Sequence, residues 1–467
     1  MVRENKKIII IGGGLAGLAL ATELVDEGLN VMVLEKHQRL GGRASNTFDR
    51  KMDEPVPIGP HVFVTAYNNF RRFLGNIESE HSISWERKIF IEIVYHKQHH
   101  QFRISHIPRP FYMLPWILRY PFISWRDKLS HIRLAIKISF TSDRKLERLD
   151  DINTCEFLTQ LGVTENSINK FWRFFVLSLL NVPIEICSAA EFALLMKHWS
   201  RLKNRKFGFA KVGLGDVFVK AAKQYIESKG GSVRHNTSVT KISFNEDGQI
   251  DHLLVHNGDN AEKLEADVYV STLNPVDLRG LLPNDLRFSD FFANLNAFEP
   301  VSYISTNLWF DKKVSRKKFW ALLNDSLTPQ CINTDFYDQS NIYASREGNS
   351  YITSNIIFSK QYENMSDAQI IEKTIEEIKG TFPHFDGKLI HSHVHRIPYV
   401  VYAPLPGMRK HKLPHSTPIA NLYLAGDWTS KELTQCMESA VRSGYRCAET
   451  ILESYGIYKK IGDYAIR

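Results

Sequence analysis

One stretch, Lys7 to Arg43 (KIIIIGGGLAGLALATELVDEGLNVMVLEKHQRLGGR), constrains the fold more than any other part of the chain. Ile8 to Ile11 is a short run of β-branched residues, which favours a buried parallel strand over a helical turn. Gly12, Gly14 and Gly17 follow in GxGxxG spacing. The first permits a tight turn, the second lets the backbone approach a diphosphate, and the third lets a helix close on the strand. The pattern predicts a helix from Leu15 to Glu27, ended by Gly28, with its positive end towards that phosphate. A second strand, Val31 to Leu34, then delivers Glu35, 18 residues after Gly17, where a carboxylate can accept bonds from ribose hydroxyls. A dinucleotide is expected here, with Gly12, Gly14, Leu15, Ala16, Gly17, Glu35 and Lys36 around it. The expected fold class is α/β with a Rossmann-like domain.

A second turn, Arg39 to Arg43, places the Gly42 amide and the Arg43 guanidinium within reach of the same diphosphate. Nicotinamide-binding chains rarely need that addition. This RxGGR element beside GxGxxG and Glu35 resembles the flavoprotein superfamily of amine oxidases, protoporphyrinogen oxidases and carotenoid desaturases. The resemblance implies FAD in a glutathione-reductase-like domain, with a second α+β domain for substrate. Attachment is expected to be non-covalent, because no cysteine lies between Cys331 and Gly426.

A chain of 467 residues with 43% hydrophobic content is long enough for two cores. Its net charge of +8 is spread along the sequence, and no nucleic-acid-binding signature accompanies it. Nucleic acid is therefore not an expected partner. The five cysteines (Cys155, Cys187, Cys331, Cys436 and Cys447) show no CxxC spacing, so buried thiols are expected and no metal site. Met1 to Lys7 is too short and polar for a signal peptide, and no apolar run of about 18 residues occurs. A cytoplasmic protein follows from this reading, peripheral on a membrane if the next features are lipid-facing.

Ser45 to Pro57 reads as a loop. The segment after it, GPHVFVTAYNNFRRFLGNI from Gly59, resembles the GLHIFFGAYPN stretch of phytoene desaturases and the GQH stretch of hydroxysqualene dehydroxylases. That likeness implies that Gly59 and His61 lie close to the flavin ring. The chain departs from the pattern at Pro60, and at Pro57 where many relatives carry an acid. Ile83 to Arg103 alternates as strands with a turn at Lys97 to His100, leaving His96, His99 and His100 solvated. Ile107 to Phe140 combines prolines, large aromatics and arginines, with an amphipathic helix over Trp125 to Ile138. Such a segment suits either a helical cap or a lipid interface, and a membrane surface is the expected partner.

Helices are expected over Glu147 to Leu161 and Glu165 to Leu180, separated by Gly162. Phe171 to Met196 resembles the helices that wall the substrate tunnel in the same family. Val212 to Ile242 matches the superfamily pattern of glycines, helix, Gly230-Gly231 and a strand through Val233 and Val239. There the residue matched by Val239 flanks the adenine. Ala266 to Thr272 reads as a strand returning to the dinucleotide. Between Asn274 and His395 no chemistry is apparent, and Lys312 to Lys318 reads as a solvated basic loop.

Near the C-terminus, LAGDWTSKELTQCMESAVRSG closely resembles LAGDWT followed by a (I/M)EGAVRSG helix in hydroxysqualene dehydroxylases, and LAGDYT with MEGAVLSG in phytoene desaturases. This implies that Gly426, Asp427 and the helix beginning at Met437 face the cofactor. The expected organisation is a discontinuous FAD domain of residues 1–75, 209–280 and 396–455. A substrate or membrane-contacting domain takes 76–208 and 281–395, and 456–467 form a tail.

The resemblance implies an oxidoreductase that moves hydride at flavin N5 on a long polyisoprenoid substrate of squalene or phytoene type. It acts as a carotenoid-type desaturase or a hydroxysqualene dehydroxylase, with His61 as the candidate acid or base and an electron partner left open. The alternatives are an amine oxidase on a polar amine and a non-catalytic flavin-binding protein at a membrane.

Overall fold

The computed structural model describes residues 6–86, 90–103, 114–201, 206–323, 331–343 and 348–462. The proline-rich part of the lipid-facing segment, residues 107–113, lies outside the described residues. Strands Lys7–Ile11 and Asn30–Leu34 sit in a five-stranded parallel sheet. Its order is Ser232–Arg234, Asn30–Leu34, Lys7–Ile11, Val268–Ser271 and Leu422–Leu424. Five short strands from four distant parts of the chain thus make one sheet. All its pairings are parallel, which requires both faces to be covered.

Successive residues of the first strand divide the two faces. Ile8 and Ile10 pack with helices Leu15–Asp26, Val219–Ser228 and Met437–Ser454. Ile9 and Ile11 pack with the three-stranded antiparallel sheet of Ser238–Phe244, Ile250–Asn257 and Asn260–Leu264. Phe70, Phe73 and Leu74, on the expected helix Asn68–Asn76, are fully buried in the first of these cores.

A seven-stranded mixed sheet forms the other half. Its order is Leu389–Tyr402, Pro300–Phe310, Ser350–Ile357, Asp335–Asp338, Phe319–Leu322, Phe90–Tyr95 and Gln98–Arg103. One face carries helix Asp367–Thr381, through Ile304, Ile356 and Phe336 against Ile370 and Ile378. The opposite face, through Tyr303, Ala321 and Ile357, meets the helices between Leu114 and Arg201.

Several local expectations are corrected. Ser45 to Pro57 is a β-hairpin, Asn46–Asp49 with Glu54–Pro57, because Asp49 accepts bonds from the Lys51 and Met52 amides and so closes the turn. The turn after Phe90–Tyr95 is His96 and Lys97, both at positive φ (47° and 65°), so His99 and His100 belong to the following strand. His99 is exposed, as expected, and also bonds Glu92 at 3.0 Å. The helix expected over Glu147 to Leu161 is two, Asp143–Leu149 and Thr154–Gln160, since the Asn153 side chain caps the second by accepting from the Glu156 amide. The strand from Val233 to Ile242 divides between two sheets at Asn236, which adopts φ 53°. In the basic loop, Lys317 and Lys318 pair with Glu92 and Glu86, each at 2.6 Å, so it is anchored rather than solvated. The five cysteines are free, with Cys187 and Cys447 buried and the other three partly so.

Candidate active site

The first glycine turn is built by contacts that exclude side chains. Gly12 has φ +114° and donates its N–H to the Leu34 carbonyl at 2.8 Å. A Cβ on Gly17 would lie 2.1 Å from the Gly12 carbonyl oxygen, so the helix can approach the strand only with glycine there. Gly14, by contrast, caps the helix with no side-chain bond, and a Cβ on it would meet nothing within 4 Å. The space in front of Gly14 is open, and the helix N-terminus faces it. Glu35 is 7% exposed and accepts from the Gly13 and His37 amides, at 3.0 and 2.9 Å, one on each oxygen. These bonds orient the carboxylate and leave further lone pairs for a ligand.

The second turn docks on the first. Gly41 donates to the Gly13 carbonyl at 2.8 Å, and Gly42, at φ 58°, lies against Gly14. Arg43 then crosses to the last strand. It pairs with Asp427 at 2.7 Å and donates to the Val400 carbonyl at 2.9 Å. Burial works against the charged guanidinium, but the Asp427 carboxylate overrides it and raises the pKa, so the pair stays ionised. Gly426, at φ 144°, turns the chain so that Asp427 points inward, and its N–H is taken by Ser443 Oγ at 2.8 Å. The helix Met437–Ser454 starts beside this turn. Its Gly444 would place a Cβ 2.6 Å from the Ala16 carbonyl, so the two cofactor-facing helices pack in close register.

These elements line one cavity of about 1010 Å³. Gly12, Gly14, Leu15 and Ala16 reach it from the first turn, with Glu35 and Lys36 beyond the second strand. Gly42, Arg43, Gly59, His61, Val239, Gly426, Asp427 and Met437 also reach it. Of the sequence-predicted residues only Gly17 lies beneath the wall, as its packing role requires. Lys36 is tied to Asp277 at 3.2 Å. His61 Nδ1 donates to the Gly59 carbonyl at 2.7 Å, which fixes the proton on that nitrogen. Burial, with help from the Arg43 charge, lowers its pKa. The ring is therefore neutral at pH 7, with Nε2 bare as an acceptor.

The cavity continues between the two halves into a chamber, one wall of which lies in the Phe171 to Met196 stretch likened to a tunnel wall, while the wall opposite was not indicated by the sequence. Phe174, Phe175 and Leu179 wall it from the helix Arg173–Leu180. Opposite them stand Tyr303, Phe319, Asp335, Tyr337, Asn355 and Ile357 of the seven-stranded sheet. Asp335 is the one carboxyl that this sheet contributes, among the described residues. Burial pushes it up to about 7 against the lowering effect of the Asn355 amide, which donates to it at 3.0 Å. Tyr303 donates to the Asn181 side chain, and Asn181 can turn there because it adopts φ 67°. The sequence carried little signal for this wall, because the strands FWAL, DFYD and SYITSNII show no regular alternation of polar and apolar residues.

A two-glycine cradle, an open helix N-terminus, an oriented carboxylate and an arginine–aspartate pair along one elongated cavity fit an adenine dinucleotide. The family described as flavin containing amine oxidoreductase matches residues 15–452. Among curated proteins, the chain is 26% identical to the chloroplastic/chromoplastic 15-cis-phytoene desaturase of Capsicum annuum, covering 96% of this chain and 78% of that one. It is also 26% identical to the 15-cis-phytoene desaturase of Synechococcus elongatus, covering 96% of both. Among solved structures, an oxidoreductase from Methanosarcina mazei superposes with a TM-score of 0.72 at 16% identity, covering 96% of this chain and 100% of that one. A putrescine oxidase bound to putrescine gives 0.72 at 16%, covering 96% and 99%. At those identities the two structures speak for the fold alone. The chain belongs to the flavin-containing amine oxidoreductase family and is an FAD-dependent oxidoreductase with homology to phytoene desaturases.

Proposed function

We propose that the chain oxidises or reduces a long polyisoprenoid, as a carotenoid-type desaturase or a dehydroxylase of the hydroxysqualene type. The observation that carries this reading is the continuity of the cavity: its dinucleotide end runs without a break into the aromatic and aliphatic chamber between the halves. FAD supplies hydride transfer at its N5 atom when bound. The protein's part is to hold, align and keep dry. Gly12, Gly14 and Gly42 would cradle the diphosphate, Glu35 would take the ribose, Val239 would flank the adenine, and the Met437 helix end would face the ring. A chain with almost no polar groups is aligned by shape, so Phe174, Phe175, Phe319 and Ile357 set its path. His61, neutral and with Nε2 bare, would accept the proton from the carbon next to the one that gives up hydride, so that the double bond forms between the two.

Access from a bilayer is part of the same proposal. Helix Trp125–Ser139 turns Trp125, Leu129, Ile132, Ile136 and then Phe140 to solvent, at 66, 62, 39, 47 and 76% exposure. Arg126, Arg133 and Lys137 are exposed around that stripe. Its other face, Leu134 and Ile138, packs in the same core as the chamber residues Phe174 and Phe175. An anionic lipid surface suits that pairing of apolar stripe and basic flank. No helix among the described residues is long and apolar enough to cross a membrane.

The test is lipid extraction from cells that express this chain together with an enzyme supplying phytoene or hydroxysqualene. New double bonds or loss of the hydroxyl supports the reading. Unchanged lipids alongside peroxide release from polyamines would replace it with an amine oxidase.

A further inference from the structure

We propose that the chamber holds a seat for one hydroxyl group on an otherwise apolar lipid chain, formed by Asp335 and Asn355. This rests on the polyisoprenoid reading above and narrows its substrate class to an isoprenoid alcohol. The seat follows from strand periodicity. Phe336 and Ile356 point to the helix-covered face of the seven-stranded sheet, so Asp335 and Asn355, one residue before each, point the other way. The register puts them directly opposite each other on neighbouring strands, with Ala321 facing Asp335 from the third. Both line the cavity, at 7 and 5% exposure.

Their hydrogen bonding is incomplete in a way a pure hydrocarbon cannot repair. Asn355 Nδ2 donates to Asp335 Oδ1 at 3.0 Å. Among the described residues the other Asp335 oxygen has no partner, and Asn355 Oδ1 is buried without one. Unpaired polar atoms in a dry wall are costly, and the residues around them, Phe319, Ala321 and Ile357, offer no bonds. Tyr303 beside them does not complete the set, because it gives its proton to Asn181. A hydroxyl both donates and accepts, so from the cavity it can bond the free Asp335 oxygen, while Asn355 holds the carboxyl in place.

The charge balance favours a neutral partner over an ammonium. A seat built for a cation surrounds its carboxylate with donors that keep it ionised. Asp335 has one amide donor and burial on every other side, which raises its pKa to about 7, so near neutrality it is protonated about half the time. A protonated carboxyl can donate to an alcohol oxygen, whereas an ammonium offers it no acceptor for that proton.

The experiment measures retention of three tritiated C20 lipids by the FAD-loaded protein in detergent: geranylgeraniol, geranylgeranylamine and the hydrocarbon lacking the head group. Wild type is expected to bind the alcohol at least 10-fold more tightly than the hydrocarbon. Asp335→Leu removes that preference, while Asp335→Asn, which still hydrogen-bonds, keeps most of it. Bound FAD and the unfolding temperature report whether each variant is folded, and Asn355→Leu serves in place of Asp335→Leu if the latter is not. Equal binding of alcohol and hydrocarbon by wild type overturns the hydroxyl seat and leaves the lipid reading standing. So does tightest binding of the amine with its loss in Asp335→Asn, which would make the seat cationic. If no lipid is retained, the polyisoprenoid reading itself falls.

Discussion

At one end of the cavity the wall is main chain; at the other it is side chains. Gly12, Gly14, Gly41 and Gly42 bring backbone to the dinucleotide, and their closeness is set by the absence of Cβ atoms. In the chamber, alternate residues of separate strands project Tyr303, Phe319, Asp335, Tyr337 and Asn355 against Phe174 and Phe175. A backbone wall tolerates almost no substitution and leaves a fixed motif. A side-chain wall can be rebuilt from other residues of similar volume, so it leaves none.

Within the backbone wall, Gly17 and Gly14 separate packing from binding. Gly17→Val drives side-chain atoms into the Gly12 carbonyl and is expected to cost more than about 4 kcal/mol, seen as loss of soluble, FAD-containing protein. Gly14→Ala meets no protein atom, so its unfolding temperature without cofactor should stay near wild type while FAD content drops. Equal damage from the two would break the distinction.

In the chamber wall, Phe175→Ala is expected to cost about 3–5 kcal/mol by emptying a buried site, while the folded fraction keeps its FAD. Denaturant unfolding followed by flavin fluorescence and by circular dichroism checks both parts. Loss of FAD at unchanged stability would mean that the chamber and the cradle are not separable.

Asp335 gives the comparison a pH signature. Its folded pKa of about 7 lies above the ordinary carboxylate value, so between pH 4 and 7 the unfolded chain releases a proton that the folded chain keeps. Stability from this group is therefore full below about pH 4, falls as pH rises and levels off above about 7. Asp335→Asn removes the fall. It should gain on wild type by on the order of 3 kcal/mol between pH 4 and 8, and a constant difference across that range would contradict the burial. Glu377, also raised to about 7, is common to both proteins and cancels.

The smallest effect on stability belongs to the exposed stripe. Leu129→Glu with Ile136→Glu should change unfolding by less than about 0.5 kcal/mol, because both side chains face solvent. Sedimentation with anionic vesicles should nevertheless fall at least 10-fold. Unchanged sedimentation would return the helix to an ordinary cap.

The same contrast explains what could be read from the sequence. Gly12, Gly14, Glu35 and Arg43 were legible from glycine-motif spacing, whereas Asp427, 384 positions from Arg43, was reached only through the resemblance of its LAGDWT stretch. The amphipathic helix Trp125–Ser139 was legible from periodicity. Asp335 was not, since the short strand DFYD has no periodicity that says which of its residues meets a cavity and which meets a second layer. The hairpin Asn46–Asp49 with Glu54–Pro57 was hidden by its prolines, which an edge pairing accommodates. Asn236 hid the change of sheet because a single positive φ has no compositional signal beyond Asn itself.

The account rests on the cradle and the chamber being one site. The most direct measurement is an anaerobic titration of the FAD-loaded protein with solubilised polyisoprenoid while the visible flavin spectrum is recorded. A shift or bleaching of the flavin bands that saturates at one lipid per protein is the result expected. Lipid that binds with no change in those bands at any ratio would place the ring and the chamber apart.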